Sequence, residues 1–98
     1  MITEQALLDI RPGQERDFEK SFSEAKAIIA SLPSFESLQL HRCLEKSTRY
    51  LLLVRWQRLE DHTEGFRGSP EYEERRLLLH HYYDPFPAVE HFSLIASA

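Results

Sequence analysis

The apolar positions of the chain change their spacing several times, and each change predicts a different element. Residues 2–10 mix β-branched and apolar residues with polar ones and are followed by Pro12-Gly13, which predicts a strand. Across residues 14–31, apolar side chains recur with the 3.6-residue period of an amphipathic helix. They are Phe18, Phe22, Ala25, Ile28, Ile29 and, just beyond, Leu32. Pro33 ends this helix because proline disfavours helical geometry in the residue before it.

Two further strands are predicted after the helix. Residues 35–44 alternate with period two, with Leu38, Leu40 and Leu44 on one face. Residues 49–57 form a second apolar run, and only a short polar turn separates the two segments. The pair is therefore predicted to form an antiparallel hairpin.

The C-terminal part of the chain contains a broken helix and a last strand. Residues 59–67 are predicted as a short helical segment ended by glycines. Ser69-Pro70 is a good helix start, since Ser can cap and Pro suits the first turn, so a second helix is predicted over residues 70–82. Prolines then interrupt the chain, and residues 88–96 are predicted as a strand.

The predicted order of elements is β-α-β-β-α-β, with the second helix in two pieces. This is the order of a ferredoxin-like α+β fold, a four-stranded antiparallel sheet with both helices on one face. The chain shows no internal repeat, linker or low-complexity stretch. We therefore predict that residues 1–98 form a single domain.

One strand is apolar at five successive positions, Tyr50 to Val54. Successive side chains on a strand point to opposite faces, so both faces of this strand favour burial. Leu7 and Leu8 repeat the pattern in the first strand. The helices cover one face of the sheet, and a second copy of the sheet is the simplest cover for the other. We expect a homodimer, with a half-exposed second face as the alternative.

Composition narrows the function classes. The 98 residues carry a formal net charge of −4, with a pI of about 5.7, whereas nucleic-acid-binding domains usually show a basic face. One cysteine cannot form an internal disulfide or a cysteine-based metal cluster. The longest apolar run is far shorter than the roughly 18 residues of a membrane helix, and the N-terminus lacks a signal-peptide pattern. We predict a cytoplasmic protein that binds neither nucleic acid nor membrane.

Two segments of the chain carry motifs of a known family. They read RYLLLVRWQRLEDHTEGFRGSPEYE and HHYYDPFPAVEHF. The landmarks are a tryptophan at the end of the third strand, an acidic helix ending in Gly-Phe, and Ser-Pro at the next helix start: Trp56, Gly65-Phe66 and Ser69-Pro70. From Ile2 to about Leu94, the chain resembles the antibiotic biosynthesis monooxygenase domain of the dimeric α+β barrel superfamily.

This resemblance implies a homodimer with two sheets packed face to face and a pocket between the sheet and helices of each subunit. Oxygenases of this family use neither metal nor flavin. Their electron-rich phenol or hydroquinone-like substrate is deprotonated and then reacts directly with dioxygen. The resemblance therefore implies no cofactor and a small aromatic or hydrophobic ligand. The same fold supports other chemistries and proteins without known chemistry.

A histidine and two aromatic residues lie close together after the third strand. His62 and Phe66 are four residues apart, so they share one face of the short predicted helix, near Trp56. An imidazole beside aromatic rings suits a pocket wall, because histidine titrates near neutral pH. Trp56 and Phe66 are candidate substrate contacts and His62 is a candidate base. The alternative is a partly buried structural histidine.

Three further candidates lie toward the C-terminus. His81 and Tyr82 come at the end of the second helix, and His91 lies on the last strand. Tyr82 and the adjacent Tyr83 are placed to line the mouth of a pocket, since tyrosine combines an apolar body with a polar tip, which suits an aromatic substrate and also an interface. His81 and His91 are candidate bases, and the parity of His91 leaves both the pocket and the dimer face open. His80 and His81 point about 100° apart on a helix, so we predict no metal site.

The haem-degrading branch of the superfamily is the rival enzyme class. It also has a Trp after the third strand, and it uses an axial His on the second helix and an Asn on the first strand. Here Arg76 occupies the position that aligns with the axial His, and residues 2–10 contain no Asn. His80 and His81 come one turn later. These departures disfavour haem degradation.

The sequence and the resemblance together predict a cofactor-independent monooxygenase that oxidises a small phenol- or quinol-like aromatic with dioxygen. The alternative is a non-catalytic homodimer that binds a small hydrophobic ligand or has an accessory role. Oxygen uptake with a panel of phenols distinguishes these two functions.

Overall fold

The computed structural model describes residues 1–58 and 70–98. The strands are β1 (Ile2–Asp9), β2 (Phe35–Arg42), β3 (Arg49–Trp56) and β4 (Val89–Ser93), and the helices are α1 (Glu15–Ala30) and α2 (Pro70–Leu79). A 3₁₀ turn, His80–Tyr82, continues α2. The short helical segment predicted over residues 59–67 lies outside the described residues.

The strands form one antiparallel sheet in the order β2-β3-β1-β4. β1 lies between β3 and β4, and Glu4 at its middle is opposite Val54 on one side and His91 on the other. Both helices pack on one face of this sheet. The predicted ferredoxin-like α+β fold is confirmed.

The core follows from the two periodicities of the sequence. The even-numbered residues of β1 and β3 point to the helices, and the 3.6-residue apolar stripe of α1 packs on them. Fully burying one large apolar side chain contributes about 1.5–3 kcal/mol, so this layer dominates the stability. Its members include Ala6, Leu8, Phe18, Phe22, Ala25, Ile29, Tyr50, Leu52, Val54 and Trp56.

The first helix ends where the sequence predicts. The backbone N–H of Ser31 donates to the Ile28 carbonyl, that of Leu32 donates to the Ile29 carbonyl, and the Ser31 hydroxyl donates to the Ile28 carbonyl at 2.7 Å. These bonds satisfy carbonyl groups that the last helical turn leaves open. Pro33 follows, and Ser34 adopts a positive φ of 65° before β2 begins.

Two strand ends come earlier than predicted. β2 ends at Arg42, and Leu44 is 94% exposed, so it does not share the buried face of Leu38 and Leu40. β2 is shorter than predicted because the chain reverses in the polar turn that follows Cys43. β4 ends at Ser93, and the apolar residues that follow it, Leu94 and Ile95, are exposed.

The second face of the sheet, here called the open face, carries the odd-numbered residues of β1 and β3. It includes Leu7, which is 48% exposed, and Phe92, which is 45% exposed. Leu51 and Leu53 on β3 are half-buried. The described helices lie on the opposite side of the sheet, so these apolar side chains face outward.

A buried tyrosine connects β3 to α1. The hydroxyl of Tyr50 donates to Glu19 Oε2 at 2.5 Å, and Arg42 is ion-paired with the same carboxylate. The tyrosine hydroxyl, followed by Arg42, lowers the pKa of Glu19 below its ordinary 4.5. A carboxyl group with a lowered pKa stabilises the fold above its unfolded-state pKa, and this contribution is lost as the pH falls through the folded value.

We expect Tyr50→Phe to lower the free energy of unfolding by about 1 kcal/mol at neutral pH, the net contribution of an ordinary hydrogen bond, because the accepting carboxylate of Glu19 is 42% exposed. It should also weaken the acid dependence below about pH 4.5, because the pKa of Glu19 then moves back toward its unfolded value. Urea denaturation at pH 7 and at pH 3 measures both effects. Glu19→Gln is the matched control, and an acid-induced loss in Tyr50→Phe equal to that of the wild type would contradict the assignment.

Candidate functional site

A cavity of about 120 Å³ lies between the sheet and α2. β1 forms one wall with Glu4, Ala6 and Leu8. The other walls come from α2, the 3₁₀ turn and the segment that leads into β4: Tyr72, Arg75, His80, Tyr83, Phe86, Pro87 and Val89. An engineered apolar cavity of about 150 Å³ binds benzene, so this cavity has the size of one aromatic ring.

A buried carboxylate forms the polar part of the β1 wall. Glu4 is 1% exposed, because strand alternation places it on the same face as Ala6 and Leu8. The indole Nε1 of Trp56 donates to Glu4 Oε1 at 3.0 Å, and Trp56 is fully buried. A buried carboxylate is costly unless it is hydrogen-bonded, so this bond fixes the positions of both side chains.

The imidazole of His80 is held among aromatic rings. Its centroid lies 4.9 Å from that of Phe86, 5.7 Å from that of Tyr83 and 6.1 Å from that of Tyr72. Burial, followed by the positive charge of neighbouring arginines, lowers the pKa of His80 below its ordinary 6.5. The imidazole is therefore neutral at pH 7 and able to accept a proton.

Tyr83 and Arg75 supply a proton donor and a positive charge. Burial raises the pKa of Tyr83 to about 12, against a smaller opposing effect of the Arg75 charge. The tyrosine hydroxyl therefore stays protonated at neutral pH and can donate a hydrogen bond. The cavity thus combines a proton acceptor, a proton donor and a cation around a ring-sized volume. Such a set can ionise a weak acid and stabilise its anion.

The structure brings two of the sequence-predicted site residues next to this cavity. Trp56 holds Glu4, and His91 lies directly opposite Glu4 on β4. Residues directly opposite each other in an antiparallel pair share one face, so His91 points to the helix side of the sheet. His62 and Phe66 lie outside the described residues.

Two other predicted residues do not line the cavity. Tyr82 packs against α1, with its hydroxyl 3.0 Å from Ser21 Oγ and its ring centroid 5.9 Å from that of Phe18. His81 is exposed, and its ring packs on Tyr82 at 4.1 Å between centroids. The backbone carbonyl of His81 accepts a hydrogen bond from Arg11 Nε at 3.1 Å.

Sequence reasoning did not select Glu4, Arg75 or His80, and it considered Tyr83 only together with Tyr82 for the mouth of a pocket. For Glu4 a signal was present, since it occupies a buried position of a period-two strand, where a carboxylate is unusual. The other three converge only because the 3₁₀ turn follows α2 and redirects the chain. No local pattern in the sequence shows which of two adjacent histidines faces the sheet.

Larger depressions lie elsewhere on the surface, and two of them exceed the cavity severalfold in volume. One of about 670 Å³ runs between α1 and β2 and has Glu19, Lys26 and Arg42 among its lining residues. The other, of about 680 Å³, lies on the open face beside Phe92 and Ile95. Both are wider and more open than the smaller cavity, where polar groups converge around a more enclosed volume, which is the feature expected of a ligand site.

Within residues 1–58 and 70–98, no group of three or more His, Cys, Asp or Glu residues is placed to hold a metal ion. In the same part of the chain, no helix has the length and apolar character needed to cross a membrane.

The fold and the cavity define a small ferredoxin-like α+β protein with a ring-sized site between sheet and helices. The family model described as antibiotic biosynthesis monooxygenase matches residues 1–76. The chain therefore belongs to the antibiotic biosynthesis monooxygenase family.

Individual relatives agree with this assignment. The uncharacterized protein YczJ of Bacillus subtilis (strain 168) is 51% identical over 92 residues, which is 94% of this chain and 97% of that protein. A crystal structure from Bordetella bronchiseptica, named for the same family, is 30% identical with a TM-score of 0.92 and covers 97% of each chain. SnoaB from Streptomyces nogalater, a cofactor-independent oxygenase, has a TM-score of 0.78 at 19% identity, over 98% of this chain and 94% of that chain. At that identity SnoaB supports the fold alone.

Proposed function

We propose that this protein is a cofactor-independent monooxygenase that oxidises a single-ring phenol or hydroquinone in the cavity between β1 and α2. One observation carries the proposal: the ring-sized cavity contains a neutral histidine, a protonated tyrosine and an arginine around an apolar wall. The family supplies the reaction type, and the cavity volume of about 120 Å³ supplies the limit to one ring.

The proposed chemistry begins with loss of the phenol proton. The phenolate transfers an electron to dioxygen, and the radical pair combines to form a peroxide on a ring carbon. Loss of water then gives a quinone, so that phenol and dioxygen are converted to quinone and water. The cavity excludes water from the ring, and its donors and cation stabilise the anionic oxygen as charge develops.

The sequence-predicted residues take specific positions in this proposal. Trp56 is a positioning residue, since it is fully buried and holds Glu4 rather than lining the cavity. His91 lies beside Glu4, on the neighbouring strand β4 and on the helix side of the sheet. His62 and Phe66 stay candidates in the segment before α2. Tyr82 contributes to the packing of α1, and His81 lies too far outside to act on a bound ring.

Oxygen uptake measures the proposed activity directly. We expect the purified protein, treated with EDTA and without added flavin, to accelerate oxygen uptake with hydroquinone, catechol or 4-methylphenol above the rate without protein. A tricyclic anthrone should give no acceleration, because three fused rings exceed the cavity. Heat-denatured protein is the control. Saturable binding of these phenols without oxygen uptake would instead support the non-catalytic ligand-binding alternative.

Haem degradation is disfavoured by the same cavity. Its volume of about 120 Å³ is far below the several hundred cubic ångströms that larger ligands need. Arg76, at the position that aligns with the axial histidine, is exposed and paired with Glu73. A haem titration should therefore give no sharp Soret band, and the appearance of one would favour the haem-degrading branch.

We also propose that the open face is covered by a second copy of the chain. Leu7 on β1 and Phe92 on β4 are about half exposed there, and Leu51 and Leu53 lie on the other side of β1, on β3, with Leu51 directly opposite Leu7. A self-complementary apolar sheet face is suited to a twofold interface, in which the same residues of both copies meet. The cavity lies on the opposite side of the sheet, so such a dimer leaves it accessible.

A further inference from the structure

We propose that His80 takes the hydroxyl proton of a single-ring phenol bound in the cavity, and that Arg75 stabilises the phenolate that forms. This inference rests on the cavity of the proposed function, but it does not depend on any reaction with oxygen. In the step, the phenol O–H bond breaks and an imidazole N–H bond forms, and no electron is transferred. The ligand class is therefore a weakly acidic phenol rather than a neutral aromatic.

The geometry fixes the imidazole at the cavity wall. Phe86 and Tyr72 pack against it nearly edge-on, at interplanar angles of 80° and 78°, and the Tyr83 ring lies beside it. Three aromatic neighbours restrict rotation of the His80 side chain, so the ring holds one orientation toward the cavity that it lines. The adjacent His81 has no comparable position, because it is exposed and packs on Tyr82.

The states of the other lining residues favour His80 as the proton acceptor. Glu4 is engaged by the Trp56 indole, and Tyr83 stays protonated because burial raises its pKa to about 12. Burial lowers the pKa of His80, which keeps the imidazole neutral before the ligand arrives. Once the proton has moved, the phenolate and the imidazolium form an ion pair in a partly desolvated site, which stabilises both charges.

The charges around the imidazole act on both partners of the proton transfer. Arg75 lines the cavity together with His80 and Tyr83, and its positive charge lowers the pKa of both groups. The same charge lowers the pKa of a phenol bound there, which offsets the lowered basicity of His80. Arg76 lowers the pKa of His80 further, and Glu73 opposes this effect. The titratable and charged groups of the described elements around the ring are Glu4, Tyr72, Glu73, Arg75, Arg76 and Tyr83.

Binding of 4-nitrophenol tests the proton transfer, because its phenolate has a distinct absorption band. In ¹⁵N-histidine-labelled protein at pH 7, we expect the His80 imidazole to be neutral alone and to become protonated on saturation with the probe. The absorption of the bound probe should be that of the phenolate. 4-Nitroanisole has nearly the same shape and no acidic proton, so it should bind without protonating His80. This comparison needs no variant.

Variants then assign the groups. His80→Gln should lower the phenolate fraction of bound 4-nitrophenol about tenfold at equal occupancy, the effect expected of one neighbouring charge. Arg75→Gln should act in the same direction, and Arg76→Gln, on the exposed side of the same helix, should have a smaller effect. Circular dichroism establishes that each variant is folded.

The outcomes separate this inference from the proposed function. A His80 that stays neutral in the complex, a larger effect from His81→Gln than from His80→Gln, or no binding of 4-nitrophenol at millimolar concentration would overturn it. Proton transfer without oxygen uptake for any phenol would support the inference and contradict the monooxygenase. Oxygen uptake while His80 stays neutral in the complex would support the monooxygenase and contradict the inference.

Discussion

Replacing Trp56 by alanine is expected to lower the free energy of unfolding by about 3–5 kcal/mol, the largest effect of any single substitution proposed for this chain. The side chain is fully buried at the end of β3 and packs edge-on against Phe35, with ring centroids 6.0 Å apart. Its removal leaves a large void in the core. It also removes the indole N–H that donates to the buried carboxylate of Glu4 at 3.0 Å.

Two further variants separate these contributions. Trp56→Phe retains most of the ring volume but removes the N–H donor. Its effect therefore measures the destabilisation caused when the buried carboxylate loses this hydrogen bond, about 1–3 kcal/mol. Glu4→Gln keeps a carbonyl acceptor for the indole and should be milder. In the double variant Trp56→Phe with Glu4→Gln, the two effects should not add, because both act on the same hydrogen bond.

Urea denaturation followed by circular dichroism measures these differences. Trp56 is the only tryptophan of the chain, so its fluorescence cannot follow the variants that remove it. The protomer concentration must be held constant, because the stability of a dimer depends on it. A loss below 1 kcal/mol for Trp56→Ala would contradict the central place given to the Trp56–Glu4 contact.

The fold could be predicted because each element carries its own periodic signal. The apolar stripe of α1 repeats every 3.6 residues over four turns, and its buried members Phe18, Phe22, Ala25 and Ile29 were all among the predicted apolar positions. The period-two pattern identified β2 and β3 in the same way. The strand ends at Arg42 and Ser93 were placed too late, because apolar residues continue beyond the last ladder hydrogen bonds.

The site could be predicted only in part, because it depends on residues that converge from distant parts of the chain. Trp56 was selected from its place at the end of β3, but its partner Glu4 lies on another strand. The parity of His91 required the register of β4 against β1. The 3₁₀ turn decides which of the two adjacent histidines faces the cavity: it places His80 there and leaves His81 exposed.

The second large effect concerns assembly. We expect the wild-type protein to have a native mass near twice 11.6 kDa, and Leu7→Lys to shift it to the monomer. Leu7 is already 48% exposed on the open face, so a lysine stays solvated in a single protomer. In a twofold dimer the substitution occurs twice, and each copy loses the burial of the exposed half of Leu7, about 1 kcal/mol, and brings a charged lysine into the interface. The dissociation constant should therefore rise about 100-fold or more.

Leu77→Lys is the matched control for this change. Leu77 is 66% exposed on α2, on the opposite side of the sheet, so the same substitution there should leave the dimer intact. Native mass spectrometry over a dilution series compares the three proteins. A monomeric wild type, or equal dissociation by Leu7→Lys and Leu77→Lys, would contradict a dimer through the open face.

The Leu7→Lys monomer also tests whether assembly and the cavity are independent. β1 presents Glu4 to the cavity and Leu7 to the open face, since alternate side chains of a strand point in opposite directions. The lining residues that the structure describes lie on the helix side of the sheet, away from the open face. The monomer should therefore bind 4-nitrophenol with an affinity within a few-fold of the wild type. A much weaker affinity would show that contacts across the open face hold β1, and with it Glu4, in the binding arrangement.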